Sequence, residues 1–183
     1  MMASSKLTVP IVAFFCLAAD QFMKSWARHH LTPGSIQPFI PGILQFNLTT
    51  NTGGAFGIGR DLSWLMTTLA VLLTIAIISW IAKRQRSQFP PHATESIGLA
   101  LVLGGALGNL CDRFTVGRVT DFIEFACFSF PVFNIADMAI DLGIVLIACD
   151  YYAKRAAVDA LLTAGRLDAD EGQPEGRSAP EKQ

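Results

Sequence analysis

Long apolar runs alternate along this chain with polar stretches rich in proline and glycine. The clearest run, residues 62–82, continues for about twenty residues without a charge, which matches the hydrocarbon thickness for a helix rising about 1.5 Å per residue. A first run covers about residues 7–23, a third about 96–111 and a fourth about 135–152. The pattern predicts an all-α integral membrane fold, with four transmembrane helices in a single domain over residues 1–153. The third run carries Gly104, Gly105 and Gly108, which permit close helix approach, and the fourth carries Asp137 and Asp141.

The first run starts with only Lys6 as a basic residue and leads straight into Asp20 and Lys24, so it reads as a retained helix rather than a cleaved leader. Lys83, Arg84 and Arg86 follow the second run, and Lys154 and Arg155 follow the fourth. The positive-inside rule therefore puts both termini and the 83–95 loop in the cytoplasm, and segments 25–61 and 112–134 outside. Arg28, Arg60, Arg113 and Arg118 on the outer side weaken this bias without reversing it. The outer stretch 35–58, with Pro38, Pro41 and several glycines, reads as turns and short strands. From 154 the chain becomes amphipathic and then acidic, a composition expected to form a disordered cytoplasmic tail.

Hydrophobic residues make up 51% of the 183 residues and the formal net charge is −1. That balance excludes electrostatic nucleic-acid binding as the main activity. Cys16, Cys111, Cys127 and Cys149 lack CxxC spacing and a nearby histidine cluster, and read as apolar fillers rather than zinc ligands. Cys111 and Cys127 could pair if both ends of their segment face an oxidising compartment, but sequence separation does not establish disulfide geometry. His29, His30 and His92 are scattered, and no GxSxG or HExxH motif is present.

The polar residues inside apolar sequence carry the chemistry. Asp20 and Lys24 are four apart on one helical face; the spacing alone reads as an interfacial ion pair, and a functional role would be to support a neighbouring site. Asn51 lies beside Gly53 and Gly54, where asparagine commonly marks a turn. Asn109, Asp112 and Arg113 cluster at the end of the third helix, where Arg113 could neutralise Asp112. Asn134 and Asp137 share one face at the start of the fourth helix, with Asp141 one turn further, and Asp150 can pair with Lys154. Asp121 sits in Val-Thr-Asp-Phe-Ile without an adjacent cation. A charged carboxylate at a membrane helix centre costs roughly 2.5 to 3.5 kcal/mol, so Asp121 and Asp137 ask for a purpose. Two close carboxyl groups share one proton and can run amide hydrolysis with no metal or covalent nucleophile. Acids lining the conduction path of a small transporter, or incidental ion pairs in a membrane scaffold, are the competing readings.

Four blocks, Asp20-Gln-Phe-Met-Lys24, Asn51-Thr-Gly-Gly-Ala-Phe56, Gly104 to Arg113 continuing to Val119-Thr-Asp-Phe122, and Phe133-Asn-Ile-Ala-Asp137, closely resemble the lipoprotein signal peptidase (signal peptidase II) family. The resemblance covers about residues 7–153. It implies an aspartyl endopeptidase of the bacterial inner membrane, acting near the periplasmic face beneath a small β-cradle. Such an enzyme removes the signal peptide of prolipoproteins on the amino side of a diacylglyceryl-modified cysteine. Motif by motif, it implies Asp121 and Asp137 as the catalytic pair. Asp20, Lys24, Asn51, Gly105, Asn109, Asp112, Arg113, Asn134 and Ala136 are implied as supporting or substrate-contacting positions. Lipid-modified prolipoproteins and membrane lipids are the expected partners of a monomer, with no cofactor, metal or nucleic acid. Two departures from the family pattern are Gly54, where alanine is frequent, and Asp141, an acid where apolar residues are usual.

Overall fold

A computed structural model describes residues 4–53, 63–88 and 90–171. Gly54, the beginning of the second apolar run at Leu62, the end of the stretch 35–58 and the tail beyond 171 lie outside the described residues. In chain order the elements are α1 (Ser4–His30), β1 (Gln37–Ile40), β2 (Leu44–Asn51), α2 (Ser63–Gln85), α3 (Ala93–Thr115), β3 (Val119–Phe125) and α4 (Ile135–Glu171). The chain divides into two compact units, Met1–Ile147 and Ala148–Gln183, with the boundary inside α4.

Among the described residues, three helices are long and apolar enough to cross a membrane: Leu7–His30, Ser63–Gln85 and Ala93–Thr115. Their outward faces remain apolar, with Phe14, Phe15, Leu72, Leu73 and Ile75 exposed, as lipid contact requires. α4 is not among the three, because Asp137, Asp141 and Asp150 interrupt its apolar run. α1 and α3 both outlast the apolar runs at 7–23 and 96–111. In each the extension carries polar side chains that find partners inside the fold: Lys24 and Arg28 on α1, and Asp112 on α3. Helix also continues through 154–171, where a disordered tail was expected; alanine, leucine and arginine in this stretch are strong helix formers. In the second unit, Lys154 pairs with Asp150 one turn away.

α3 is central and packs against both α1 and α2. Its small residues set the distance of approach. A β-carbon on Gly104 would fall 2.7 Å from Cys16 Cβ, one on Gly98 would fall 2.8 Å from the Gly143 carbonyl, and one on Gly105 would run into the Ala136 carbonyl. Val9, Ile81, Leu99 and Ala100 form one core between the helices. A second core, Ala27, Leu31, Leu48 and Phe122, joins the end of α1 to a three-stranded antiparallel sheet of order β1-β2-β3. The first two strands fall in the stretch read as turns and short strands. β3 was not anticipated, and it is the strand that carries Asp121. Thr49 lies opposite Asp121, and a register shift between Phe46 and Thr49 adjusts the pairing. The four cysteines are free.

Because the Ala136 carbonyl is backbone and cannot rotate away, Gly105→Ala should overpack the α3 to α4 contact and destabilise by about 1 to 3 kcal/mol. A lowered thermal unfolding midpoint of the detergent-solubilised protein would register it.

Candidate active site

Asp121 and Asp137 reach the site from different kinds of element, a strand and a helix start, and Asn134 joins them. Asn134 is the N-cap of α4, and its pairing with Asp137 is reciprocal. The Asp137 N–H donates to Asn134 Oδ1 at 3.0 Å, and the Asn134 N–H donates to Asp137 Oδ2 at 3.2 Å. This exchange satisfies orphan donors of the first helical turn and fixes the Asp137 rotamer. The same side chain donates from Nδ2 to Asp121 Oδ1 at 2.6 Å and to Asn109 Oδ1 at 3.2 Å. Asn109 Nδ2 in turn donates to Asp137 Oδ1 at 2.8 Å. One fully buried residue thus links both carboxyl groups, Asp121 through its side-chain amide and Asp137 through its backbone N–H.

Behind this pair lies a layer of buried charge. Lys24 Nζ sits 2.9 Å from Asp20 Oδ2 and 3.7 Å from Asp112 Oδ2, and all three side chains are fully buried. Lys24 also donates to Asn109 Oδ1 at 2.9 Å. Asp20 Oδ1 accepts the Ala136 N–H at 2.9 Å, a free donor at the start of α4, and Asp112 Oδ2 accepts the Thr120 N–H at 2.8 Å, next to Asp121. The Asp20–Lys24 pair is therefore not an exposed interfacial pair. It holds the elements that present the two acids.

The expected neutralisation of Asp112 by Arg113 is not what forms. Asp112 faces Lys24 and Arg28, whose Nη1 lies 3.4 Å from Asp112 Oδ1. Adjacent helical residues point in different directions, and Arg113 instead donates to the carbonyls of Gly53 at 3.1 Å and Asn109 at 3.2 Å. Asn51 makes the expected turn by accepting the Gly53 N–H at 2.9 Å, and its side chain also hydrogen bonds Asp121. Gly105 acts through spacing and Ala136 through its backbone. Three participants escaped the sequence reading. Gln21 bridges Asp20 and the Gly108 carbonyl at 3.1 and 3.0 Å, Arg28 reaches Thr120 Oγ1 at 2.9 Å, and Thr120 supplies its backbone donor. Arg28 was legible as the next i, i+4 step after Asp20 and Lys24.

Asp121 and Asp137 both line a cavity of about 1420 Å³, walled mainly by Met23, Phe39, Phe46, Ile123, Phe130 and Met138. Asp141 lines it too, on the exposed side of α4. Asp121 is only 3% exposed. Burial, reinforced by the charge of Asp137, pushes its pKa up to about 7. The arrangement sets two acids, one of them with a raised pKa, along a largely apolar groove. Among the described residues, no group of three or more His, Cys, Asp or Glu is placed to hold a metal ion.

Two outcomes follow. Replacing Lys24 with methionine strips the compensation from Asp20 and Asp112, and should destabilise by about 3 to 5 kcal/mol in equilibrium unfolding. Native Asp121 holds a proton that the unfolded chain has already released between about pH 4 and 7, so its contribution to stability is lost as pH rises through that window. Asp121→Asn should flatten this fall, with the largest gain in unfolding temperature over the wild type near pH 8.

Comparison with known proteins places relatives around this geometry. Residues 12–153 match the family model described as signal peptidase (SPase) II. The lipoprotein signal peptidase of Thermosynechococcus vestitus is 39% identical over 137 residues, covering 73% of this chain and 84% of its own. That of Hydrogenovibrio crunogenus is 37% identical, covering 80% and 86%. A solved structure described as a bacterial membrane enzyme superposes with a TM-score of 0.68 at 27% identity, covering 92% of this chain and 93% of its own.

Proposed function

The chain belongs to the signal peptidase II family, and from that premise we propose that it removes the signal peptide from diacylglyceryl-modified prolipoproteins by aspartyl hydrolysis between Asp121 and Asp137. The observation that supports this reading is the bridge through Asn134, which hydrogen bonds both residues where they line one groove.

On this reading the two acids share one proton, and the reacting microstate places it on Asp121 and the charge on Asp137, which accepts from Asn109 and the Asn134 backbone. Asp137 takes a proton from water as the hydroxyl oxygen adds to the scissile carbonyl carbon. Asp121 gives its proton to the carbonyl oxygen, forming a neutral tetrahedral diol. On collapse the C–N bond breaks. The amine of the lipid-modified cysteine leaves with the proton Asp137 had gained, the diol returns a proton to Asp121, and the signal peptide departs as the carboxylic acid. Protein atoms exclude bulk water from Asp121, and the layer of Lys24, Asp20 and Asp112 holds both acids in place.

The same reading makes the cavity the seat of the signal segment, with its apolar wall against the lipid-like parts of the substrate. It takes the first part of α4 as a fourth crossing whose acids face the groove. It also places the site at the periplasmic face, with both termini in the cytoplasm, from the basic residues in the last turn of α2 and just beyond it.

Purified protein should cleave a diacylglyceryl-modified prolipoprotein, and Asp121→Asn and Asp137→Asn should each lower kcat by at least about a thousandfold, the two losses not adding because the acids act as a unit. Retention of near-normal cleavage by either variant overturns the dyad.

A further inference from the structure

One acid on the groove wall is left over from this account. Asp141 stands four residues after Asp137 on α4, so it lies on the same helix face about 6 Å further along the axis. It lines the same cavity as Asp121 and Asp137, with Met138 and Ile140 as its lining neighbours. Its carboxyl group makes no hydrogen bond or ion pair with any described residue. An acid facing hydrocarbon is costly, and such residues in membrane helices face cavities where water or a polar group can meet them. Carboxyl oxygens are hydrogen-bond acceptors, so a donor on whatever fills the groove can satisfy them.

We propose that Asp141 is a specificity-determining residue that accepts a hydrogen bond from a hydroxyl side chain of the signal segment, close to the cleaved bond on its amino side. The inference rests on the aspartyl reading of the groove. Asp141 lies further from the sheet than Asp137 along α4, and the part of the substrate that stays in the membrane is the signal segment. An extended chain advances about 3.3 Å per residue, so an offset of about 6 Å corresponds to roughly two residues from the scissile bond. A serine or threonine there meets its acceptor, whereas alanine leaves the carboxylate facing an apolar group without a partner.

Matched prolipoprotein substrates carrying serine or alanine at each of the four positions on the amino side of the modified cysteine provide the test, read as kcat/KM ratios. At one position the wild type should prefer serine by about ten- to a hundredfold. Asp141→Leu should bring that ratio to about one, and Asp141→Asn, which keeps an amide oxygen as acceptor, should give an intermediate value. A wild-type ratio below about twofold at every position overturns the proposal, as does a preference that survives Asp141→Leu. If the leucine variant does not accumulate, the asparagine variant carries the same comparison, and an unchanged ratio in it overturns the proposal. Failure of the underlying reading is seen separately, as cleavage of either substrate by Asp121→Asn or Asp137→Asn.

Discussion

A lysine ammonium with no access to solvent needs compensation on every side, and the way Lys24 obtains it organises the whole site. Its charge is met by Asp20 from its own helix and Asp112 from α3, and its remaining donor capacity by Asn109. Each partner has a second obligation. Asp20 holds the first turn of α4 through the Ala136 N–H, Asp112 holds the start of β3 through the Thr120 N–H, and Asn109 holds Asp137. Removing water from this cluster makes every unpaired arrangement expensive, so the low dielectric that penalises the charges also fixes the geometry. The helices and the sheet meet where these groups satisfy one another.

Local spacing made much of this legible. Asp20 with Lys24 and Asn134 with Asp137 fall one helical turn apart, and the sequence alone places each pair on one face. The apolar runs located three helices that meet the requirements of a membrane crossing. What local pattern could not supply was β3. Its segment is buried along its first four residues, so the two-residue alternation that announces a half-exposed strand is absent. Its partner β2 lies far away in the chain, with no connecting hairpin turn between them. Arg113 misled for a related reason: sequence adjacency to Asp112 suggested pairing, whereas helix geometry sends the two side chains to different neighbours.

The site also shows a tension between stability and chemistry. The charge of Asp137 helps to drive Asp121 toward neutrality, a cost to the fold that the proposed reaction turns to use. Asn134 makes this arrangement tolerable by serving three partners with one amide, accepting from the Asp137 N–H while donating to Asp121 and Asn109. Neither leucine nor aspartate could stand in its place, since the first offers no polar atoms and the second no N–H donor.

The pairing of β2 with β3 bears on how such a protein comes into being within a living membrane. Asp121 occupies its place only after two distant stretches of chain have met, and Asp137 only after the final helix of the compact unit has docked on Asp20. A newly made or truncated polypeptide ending before α4 has an acid without its counterpart. On the proposed mechanism it is inert toward the many apolar segments around it, and proteolytic competence arrives only with the completed fold.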